Sequence, residues 1–170
     1  MGRQGCCHSR GSKLTIFDEG TPGSRVSILP ATWRDLNSLR HLEQVCFPKD
    51  AWPLLDVVGV LALPNVVRLK AQVGESFAGF VAGDVHASKN EAWIATIAVL
   101  PEFRRQGIGR ELLRSCERNL NVSHVRLCVR ASNTAAENLY LSEGYQRAGL
   151  WEKYYQDGEN ALVMEKELRG

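Results

Sequence analysis

The sequence has no apolar stretch long enough to cross a membrane. Its longest apolar run, Val57 to Leu63, is far shorter than the ~20 residues that a transmembrane helix needs. The first residues are polar and rich in glycine, and they lack the apolar segment of a secretory signal. We therefore expect a soluble protein without a membrane partner.

Paired cysteines are also missing. The 170 residues contain five cysteines, an odd number, and no two of them have the CxxC spacing. This pattern argues against a disulfide framework and a zinc knuckle, and it favours thiols that stay reduced inside a cell. We expect a cytoplasmic location and no metal site. The five are Cys6, Cys7, Cys46, Cys116 and Cys128.

The sequence lacks a large excess of charge of either sign. Its 21 Lys and Arg exceed its 19 Asp and Glu by two, which gives a net charge of +2. Residues 31–170 contain 17 basic and 17 acidic residues, so the main part of the chain is neutral. Nucleic-acid-binding proteins usually carry a clear basic excess, and we therefore expect no nucleic-acid partner.

A chain of 170 residues is long enough for one domain and too short for two. We predict a disordered tail over residues 1–25 and a single domain over residues 26–168. Strand-like and helix-like segments alternate in the order β-α-α-β-β-β-α-β-α-β-β. This order predicts an α/β fold with a mixed, mostly antiparallel sheet of about seven strands and about four helices.

Turn and cap residues set the bounds of these segments. The predicted strands are Val26–Pro30, Val66–Val73, Phe77–Val85, Ala92–Val99, His124–Val129, Tyr145–Tyr154 and Ala161–Leu168. The first helix begins after the N-cap residue Thr32, has Trp33, Leu36, Leu39 and Leu42 on its apolar face, and ends near Phe47 and Pro48. The other predicted helices are Leu54–Ala62, Gly107–Leu120 and Asn133–Glu143, the last closed by Gly144.

The most informative segment joins a predicted strand to a predicted helix through the turn Arg104 to Gly109. Glycine lets the backbone approach a ligand closely, and the first amides of a helix point outward, so this turn suits a phosphate. The sequence has neither the third glycine of a dinucleotide fingerprint nor the Gly-Lys-Ser/Thr of a P-loop. A basic, solvent-exposed helix start is the alternative interpretation.

Several motifs in one order resemble a known family. Arg104-x-x-Gly107-x-Gly109 is similar to the acyl-CoA pyrophosphate loop of the GNAT N-acetyltransferases, and Asn133 to Tyr140 is similar to the Asn-x(6)-Tyr helix of the same superfamily. The segments Cys46-Phe47-Pro48 and Lys153-Tyr154-Tyr155 resemble the RimI type, which acetylates protein N-termini. The resemblance covers about residues 26–168 and implies a sheet splayed at strands 4 and 5.

The resemblance also implies a binding site for acetyl-CoA, the co-substrate. The backbone of Ile97, Ala98 and Val99 would pair with the pantetheine arm. Asn133 would reach the same arm, although an ordinary N-cap role is equally compatible with its position. The turn that would hold the pyrophosphate comprises Arg104, Arg105, Gln106, Gly107, Ile108 and Gly109.

The implied catalytic acid is Tyr140, whose hydroxyl would protonate the departing thiolate. The alternative is that Tyr140 only packs against its neighbours. Phe47, Tyr154 and Tyr155 would line the site for the acceptor peptide, although tyrosines are also ordinary in strands.

The sequence departs from the RimI pattern at the expected general base. Enzymes of that type usually carry Glu on the fifth strand, and Cys128 occupies the corresponding position here. A thiol with a pKa near 8.5 accepts protons poorly at pH 7, so a packing role is the main alternative to catalysis. Other candidate bases are Glu91, Asp84 and His86.

These observations predict transfer of the acetyl group of acetyl-CoA to the N-terminal α-amine of a protein or peptide. Ribosomal proteins are among the candidate partners. Two alternatives remain open: acetylation of a small-molecule amine, and an acyl-CoA-binding module with weak or no catalysis.

Overall fold

The computed structural model describes residues 26–49 and 54–168, and the predicted tail at residues 1–25 lies outside them. The strands are β1 (Val26–Pro30), β2 (Val66–Val73), β3 (Ser76–His86), β4 (Glu91–Val99), β5 (His124–Arg130), β6 (Gln146–Trp151) and β7 (Ala161–Glu167). They form one sheet in the order β1-β2-β3-β4-β5-β7-β6. The pair β4–β5 is parallel and the other neighbours are antiparallel, which confirms the predicted mixed sheet.

The helices cover both faces of this sheet. They are α1 (Leu36–Cys46), α2 (Leu54–Ala62), α3 (Ile108–Leu120) and α4 (Thr134–Ser142). Leu42 of α1 and Leu61 of α2 pack on one face around Phe80, whereas Leu112 of α3 and Tyr140 of α4 belong to the core on the other face. Within the described ranges, no helix combines the length and the apolar character that crossing a bilayer requires.

The chain enters α1 through a short capped turn. The Thr32 backbone N–H donates to the Asp35 carboxylate at 2.8 Å, and this capping box encloses a 3-10 turn at Trp33–Asp35. α1 therefore begins only at Leu36. Trp33 lies in the turn and is 53% exposed, so the prediction that it belongs to the buried face was wrong.

A bulge at Ala95 changes the direction of the side chains along β4. Ile94 and Thr96 pair with adjacent residues of β3, so Ala95 has no residue opposite to it. One extra residue shifts the alternation of side chains by one. Ile94 consequently packs in the core on the α3 side, whereas Thr96 points to α1 and contacts Glu43.

The sheet opens next to this bulge. β4 and β5 pair from Glu91 and His124 as far as Ile94 and Leu127, and beyond these residues the two strands separate. This separation confirms the predicted splay between strands 4 and 5. It leaves one edge of β4 facing a gap in the middle of the sheet.

The last hairpin differs from the prediction at one end. β6 ends at Trp151 and not at Tyr154. Lys153 adopts a left-handed conformation with φ of 51°, and its backbone N–H donates to the side-chain oxygen of Asn160 at 2.9 Å. Tyr154 and Tyr155 therefore lie in the loop between β6 and β7.

Candidate active site

A pocket of about 410 Å³ opens where β4 and β5 separate. Its walls come from the end of α1 and the segment after it, β4, β5, α4 and the β6–β7 loop. The pocket brings together residues that are far apart in sequence, and six of them were assigned to the site from the motifs: Phe47, Ile97, Cys128, Asn133, Tyr140 and Tyr155.

The other predicted site residues lie beside this pocket. Ala98 and Val99 continue β4 beyond it, and the turn from Arg104 to Gly109 lies between the end of β4 and α3. Tyr154 is 53% exposed and lies against Trp151 in a tilted arrangement, with ring centroids 5.3 Å apart. The pocket and the turn are therefore separate parts of the surface, and both lie near the end of β4.

Tyr140 forms a buried part of the pocket wall. Its side chain is 5% exposed, and its ring lies 5.8 Å from that of Tyr145. Burial raises the pKa of Tyr140 well above its usual value, and the neighbouring Tyr155 adds to the shift. The hydroxyl therefore stays protonated at physiological pH and can act as a proton donor.

Cys128 stands on β5 beyond the point of separation, and its side chain is partly exposed to the pocket. Burial raises the pKa of this thiol above its usual value. The thiol is therefore neutral near pH 7, and a neutral thiol is a poor proton acceptor. The geometry fits a residue that fills space at the wall.

Glu43 is a functional candidate that the motifs did not reveal. It lies in the pocket wall with only 4% exposure, and its Oε1 accepts a hydrogen bond from the Thr96 hydroxyl at 3.4 Å. One signal was present in the sequence. Glu43 occupies the helical face that it shares with Leu39 and Leu42, where an acidic residue is unusual.

The turn before α3 has the backbone shape of an anion site. Arg105 and Gly107 have positive φ of 65° and 78°, and Gly107 is the N-cap residue of α3. A glycine at this position adds no side chain in front of the outward-pointing amides of the first helical turn. Successive amides in such a turn form a concave surface that suits phosphate oxygens.

Arg104 ties this turn to the rest of the site. Its Nε donates to the backbone oxygen of Val99 at 3.0 Å, and its Nη2 lies 3.5 Å from the Sγ of Cys46. The side chain thus joins this turn to the ends of β4 and α1.

Asn133 is the N-cap residue of α4, because its Oδ1 accepts a hydrogen bond from the Ala136 backbone N–H at 3.1 Å. It also lines the pocket, so the N-cap role and a contact with a bound ligand are compatible in space.

Charged residues connect the two sides of the pocket opening. Lys49, in the segment after α1, lies 3.1 Å from Asp157 of the β6–β7 loop. Arg130 of β5 contacts the same carboxylate at 3.1 Å, and its guanidinium lies 4.0 Å from the ring centroid of Tyr155. The opening is consequently framed by an ion-pair cluster and an aromatic ring.

The three other candidate bases lie at the opposite end of the sheet from the gap. Glu91 begins β4 and lies near Arg126, while Asp84 and His86 end β3 and contact each other at 3.3 Å. None of these three described residues lines the pocket. This position removes them as direct proton acceptors in the pocket.

A seven-stranded sheet opened between its parallel strands, with an amide-lined turn beside the gap, defines the class of N-acetyltransferases that the motifs indicated. The chain belongs to the acetyltransferase (GNAT) family, whose model matches residues 36–145. It is accordingly an acetyltransferase, and this family uses acetyl-CoA.

Three of the similar proteins have names of one kind, and another solved structure, a nourseothricin acetyltransferase, is 28% identical with a TM-score of 0.59, covering 62% of this chain and 67% of that one. The chain is 34% identical over 147 residues to N-alpha-acetyltransferase RimI of Mycobacterium tuberculosis, covering 84% of this chain and 92% of the relative. It is 30% identical over 152 residues to NAA10, the catalytic subunit of the N-terminal acetyltransferase A complex of Arabidopsis thaliana, covering 85% and 79%. The crystal structure of the ribosomal-protein-S18-alanine N-acetyltransferase from Escherichia coli superposes with a TM-score of 0.76 at 30% identity, covering 85% and 96%.

Proposed function

We propose that this protein transfers the acetyl group of acetyl-CoA directly to the N-terminal α-amine of a protein or peptide. The observation that carries the proposal is the pocket at the gap between β4 and β5, with the protonated hydroxyl of Tyr140 in its wall. The names of the relatives, which act on α-amines or on the alanine of a ribosomal protein, support the same acceptor. Ribosomal proteins are therefore candidate substrates.

The described residues fit acetyl-CoA in an extended form. The β4 edge at Ile97 faces the gap, and a free strand edge can pair with the amides of a pantetheine arm. The amides that follow Arg105 and Gly107 would hold the pyrophosphate. When bound, acetyl-CoA supplies the activated acetyl group, and the chain supplies its position and the proton transfers.

Tyr140 would act on the leaving group. Negative charge develops on the departing sulfur, and a protonated hydroxyl beside it lowers the free energy of that state. The raised pKa of Tyr140 supports this role, because the residue remains a donor throughout the working pH range.

The chemistry of the acceptor favours an α-amine over a lysine. An α-amine has a pKa of ~7.7 to 8.0, so making it neutral at pH 7 costs about 1.4 kcal/mol, whereas a lysine with a pKa of ~10.4 costs about 4.6 kcal/mol. Cys128 offers no basic group at the position where relatives of the RimI type carry one. Whichever group accepts the proton, the amine with the lower pKa is the easier one to deprotonate.

We propose that the reaction takes place in the cytoplasm. The free cysteines of the described chain, Cys46, Cys116 and Cys128, are typical of a reducing compartment.

The test is incubation with acetyl-CoA and a panel of peptides that differ at their first residues. We expect a mass increase of one acetyl group, mapped by fragmentation to the α-amine. Peptides with a blocked α-amine and a free lysine are the matched control and should stay unmodified. Acetylation of free small amines in preference to peptides would contradict the proposed acceptor, and acetyl-CoA binding without any turnover would indicate a binding module.

A further inference from the structure

Glu43 is a buried carboxylate in the wall of the pocket. On α1 it follows Leu42, which is fully buried, and it is itself only 4% exposed. Burying a carboxylate is unfavourable unless other groups compensate for the lost hydration. Carboxylates kept in such places are often functional, particularly at the wall of a cleft.

The β4 bulge makes the contact between Glu43 and the strand. In a regular strand, Ile94 and Thr96 are two positions apart and would point to the same face of the sheet. Because Ala95 is bulged, the Thr96 hydroxyl turns to α1 instead and donates to Glu43 Oε1 at 3.4 Å. Bulges frequently redirect a side chain next to an active site.

The pocket places this carboxylate and the proposed acid in one cavity. Glu43 and Thr96 belong to the wall formed by α1 and β4, whereas Tyr140 belongs to the wall formed by α4. The gap between β4 and β5 lies between these walls. A reacting amine and a leaving thiolate would therefore meet different proton-transfer groups.

The other carboxylate among the residues lining the described pocket is already engaged. Glu159 contacts the guanidinium of Arg130 and accepts a hydrogen bond from the Ser132 backbone N–H at 2.9 Å. These contacts lower the pKa of Glu159 and hold it at the opening. Glu159 is therefore tied to the opening through Arg130, whereas Glu43 lies in the wall formed by α1 and β4.

We infer that Glu43, held by Thr96, accepts the proton that the acceptor ammonium must lose before it attacks the acetyl group. This inference rests on the proposed function and adds the identity of its proton acceptor. The site would accordingly bind its acceptor as a protonated amine and would not require the neutral amine from solution.

In the proposed reaction the ammonium N–H bond breaks, its proton goes to the Glu43 carboxylate, and the nitrogen keeps the electron pair. That pair forms the C–N bond to the acetyl carbon of acetyl-CoA, and the C–S bond breaks with its pair remaining on sulfur. Tyr140 gives its proton to the sulfur and regains one from the nitrogen, and Glu43 releases its proton to water.

The test is the dependence of kcat/KM on pH between 6 and 8 with a peptide acceptor. If Glu43 takes the proton from the bound ammonium, the wild-type profile is flat below the pKa of the α-amine. Without that acceptor, only the neutral amine reacts. For an α-amine pKa of ~7.8, the rate would then rise about 40-fold between pH 6 and pH 8.

Three variants sharpen this test. Glu43→Gln should show the steep profile and approach the wild-type rate at high pH. Thr96→Val keeps the carboxylate, so it should lower kcat and keep the flat profile. Glu91→Gln makes the same chemical change on β4 outside the pocket lining, and it should behave as wild type.

The other ionisable groups in the pocket come from α1 and the segment after it, from β5, from α4 and from the β6–β7 loop. Burial raises the pKa of the two thiols and of Tyr140, and the contacts of Glu159 lower its pKa. The full set is Cys46, Lys49, Cys128, Arg130, Tyr140, Tyr155 and Glu159.

A flat profile in Glu43→Gln, or a steep one in the wild type, would overturn the role of Glu43 and leave the proposed function standing. The wild-type profile gives this answer even if Glu43→Gln does not fold. Absence of peptide acetylation by the wild type at every pH would instead overturn the proposed function, and the inference with it.

Discussion

Burial determines the protonation state of the single side chains in the pocket. The phenol of Tyr140 and the thiol of Cys128 both have a raised pKa because their charged forms would lose hydration. For Tyr140 this shift preserves a proton donor, whereas for Cys128 it removes a nucleophile and a base. The same physical cause therefore supports a function for one residue and argues against it for the other.

The substitution Tyr140→Phe tests the proton donor. We expect kcat to fall by roughly 100-fold or more, the usual range for removal of a general acid, with little change in acetyl-CoA affinity. Steady-state kinetics and calorimetric titration measure the two quantities. An equal loss of affinity would show that the hydroxyl contributes to binding rather than to the departure of the thiolate.

The substitution Gly107→Val tests the pyrophosphate turn. A β-branched residue is strained at φ of 78°, although a Cβ at Gly107 would contact nothing within 4 Å. We therefore expect weaker acetyl-CoA binding through a distorted turn, measured as a raised dissociation constant. Gly109→Ala is the matched control, because its Cβ would lie at an ordinary 3.6 Å from Leu139. Unchanged affinity in Gly107→Val would exclude the turn from the site.

Sequence reasoning found the residues with a motif and missed the one without. Tyr140 and Asn133 have a characteristic spacing, and the structure places both at the pocket. Glu43 has no motif, and its contact with Thr96 joins residues 53 positions apart in sequence. The prediction that Trp33 lies on the buried face of the helix was wrong for a local reason, because Trp33 belongs to a capped turn that precedes the helix.

At the scale of elements, an ion-pair cluster joins α3 to the end of α4. The carboxylate of Glu143 lies 2.8 Å from the Nε of Arg110 and 2.6 Å from the Nε of Arg114, and its side chain is 5% exposed. Burial alone would raise the pKa of Glu143, but the hydrogen bond from Arg114 and the positive charges of Arg114, Arg110 and Lys166 lower it. The cluster holds together the two helices that contribute the pyrophosphate turn and Tyr140.

Glu143 makes the stability of this helix pair depend on pH. Because its pKa is lower in the folded state, its stabilisation is fully present above the unfolded value of about 4.5 and is lost as pH falls through the folded pKa. We expect Glu143→Gln to lower the free energy of unfolding at pH 7. Between pH 5 and pH 3, the free energy of unfolding should fall less in this variant than in the wild type. Urea denaturation across this range measures both effects.

The control for that experiment is Glu75→Gln, in the exposed turn between β2 and β3. It should follow the wild-type curve at every pH. If the Glu143→Gln and wild-type curves stay parallel, the ion pairs do not account for the acid sensitivity of the protein.

The bounds of the elements were largely predictable, because glycines and cap residues mark most of them. The bulge in β4 was not. Residues 91–99 are almost uniformly apolar, so a shift in the alternation of faces leaves no trace in the hydropathy pattern. The early end of β6 was hidden for a similar reason, since the left-handed backbone falls on Lys153 and not on a glycine.

At the scale of the whole molecule, cofactor binding should be visible as thermal stabilisation. A ligand at about 100 times its dissociation constant stabilises the folded state by ~2.7 kcal/mol, which for a domain of this size raises Tm by roughly 5–10 °C. Differential scanning fluorimetry with acetyl-CoA measures this shift. Tyr140→Phe should keep it and Gly107→Val should reduce it, and a wild-type Tm that does not respond would contradict the cofactor.

The overall topology followed from the order of segments together with the family resemblance. The order of strands and helices fixed seven strands and four helices, and the resemblance supplied the splay. Neither could supply the ion pair between Lys49 and Asp157, because it depends on where two loops 108 positions apart come to rest. Contacts between loops are set by the packed sheet beneath them, which no local pattern encodes.

The short parallel contact between β4 and β5 divides the sheet into two halves, with β1 to β4 on one side and β5, β7 and β6 on the other. The halves are joined by the residue pairs from Glu91 with His124 to Ile94 with Leu127, and a molecule bound beyond these pairs would contact both halves. Small rotations of one half against the other would therefore change the width of the proposed reaction site without breaking any strand.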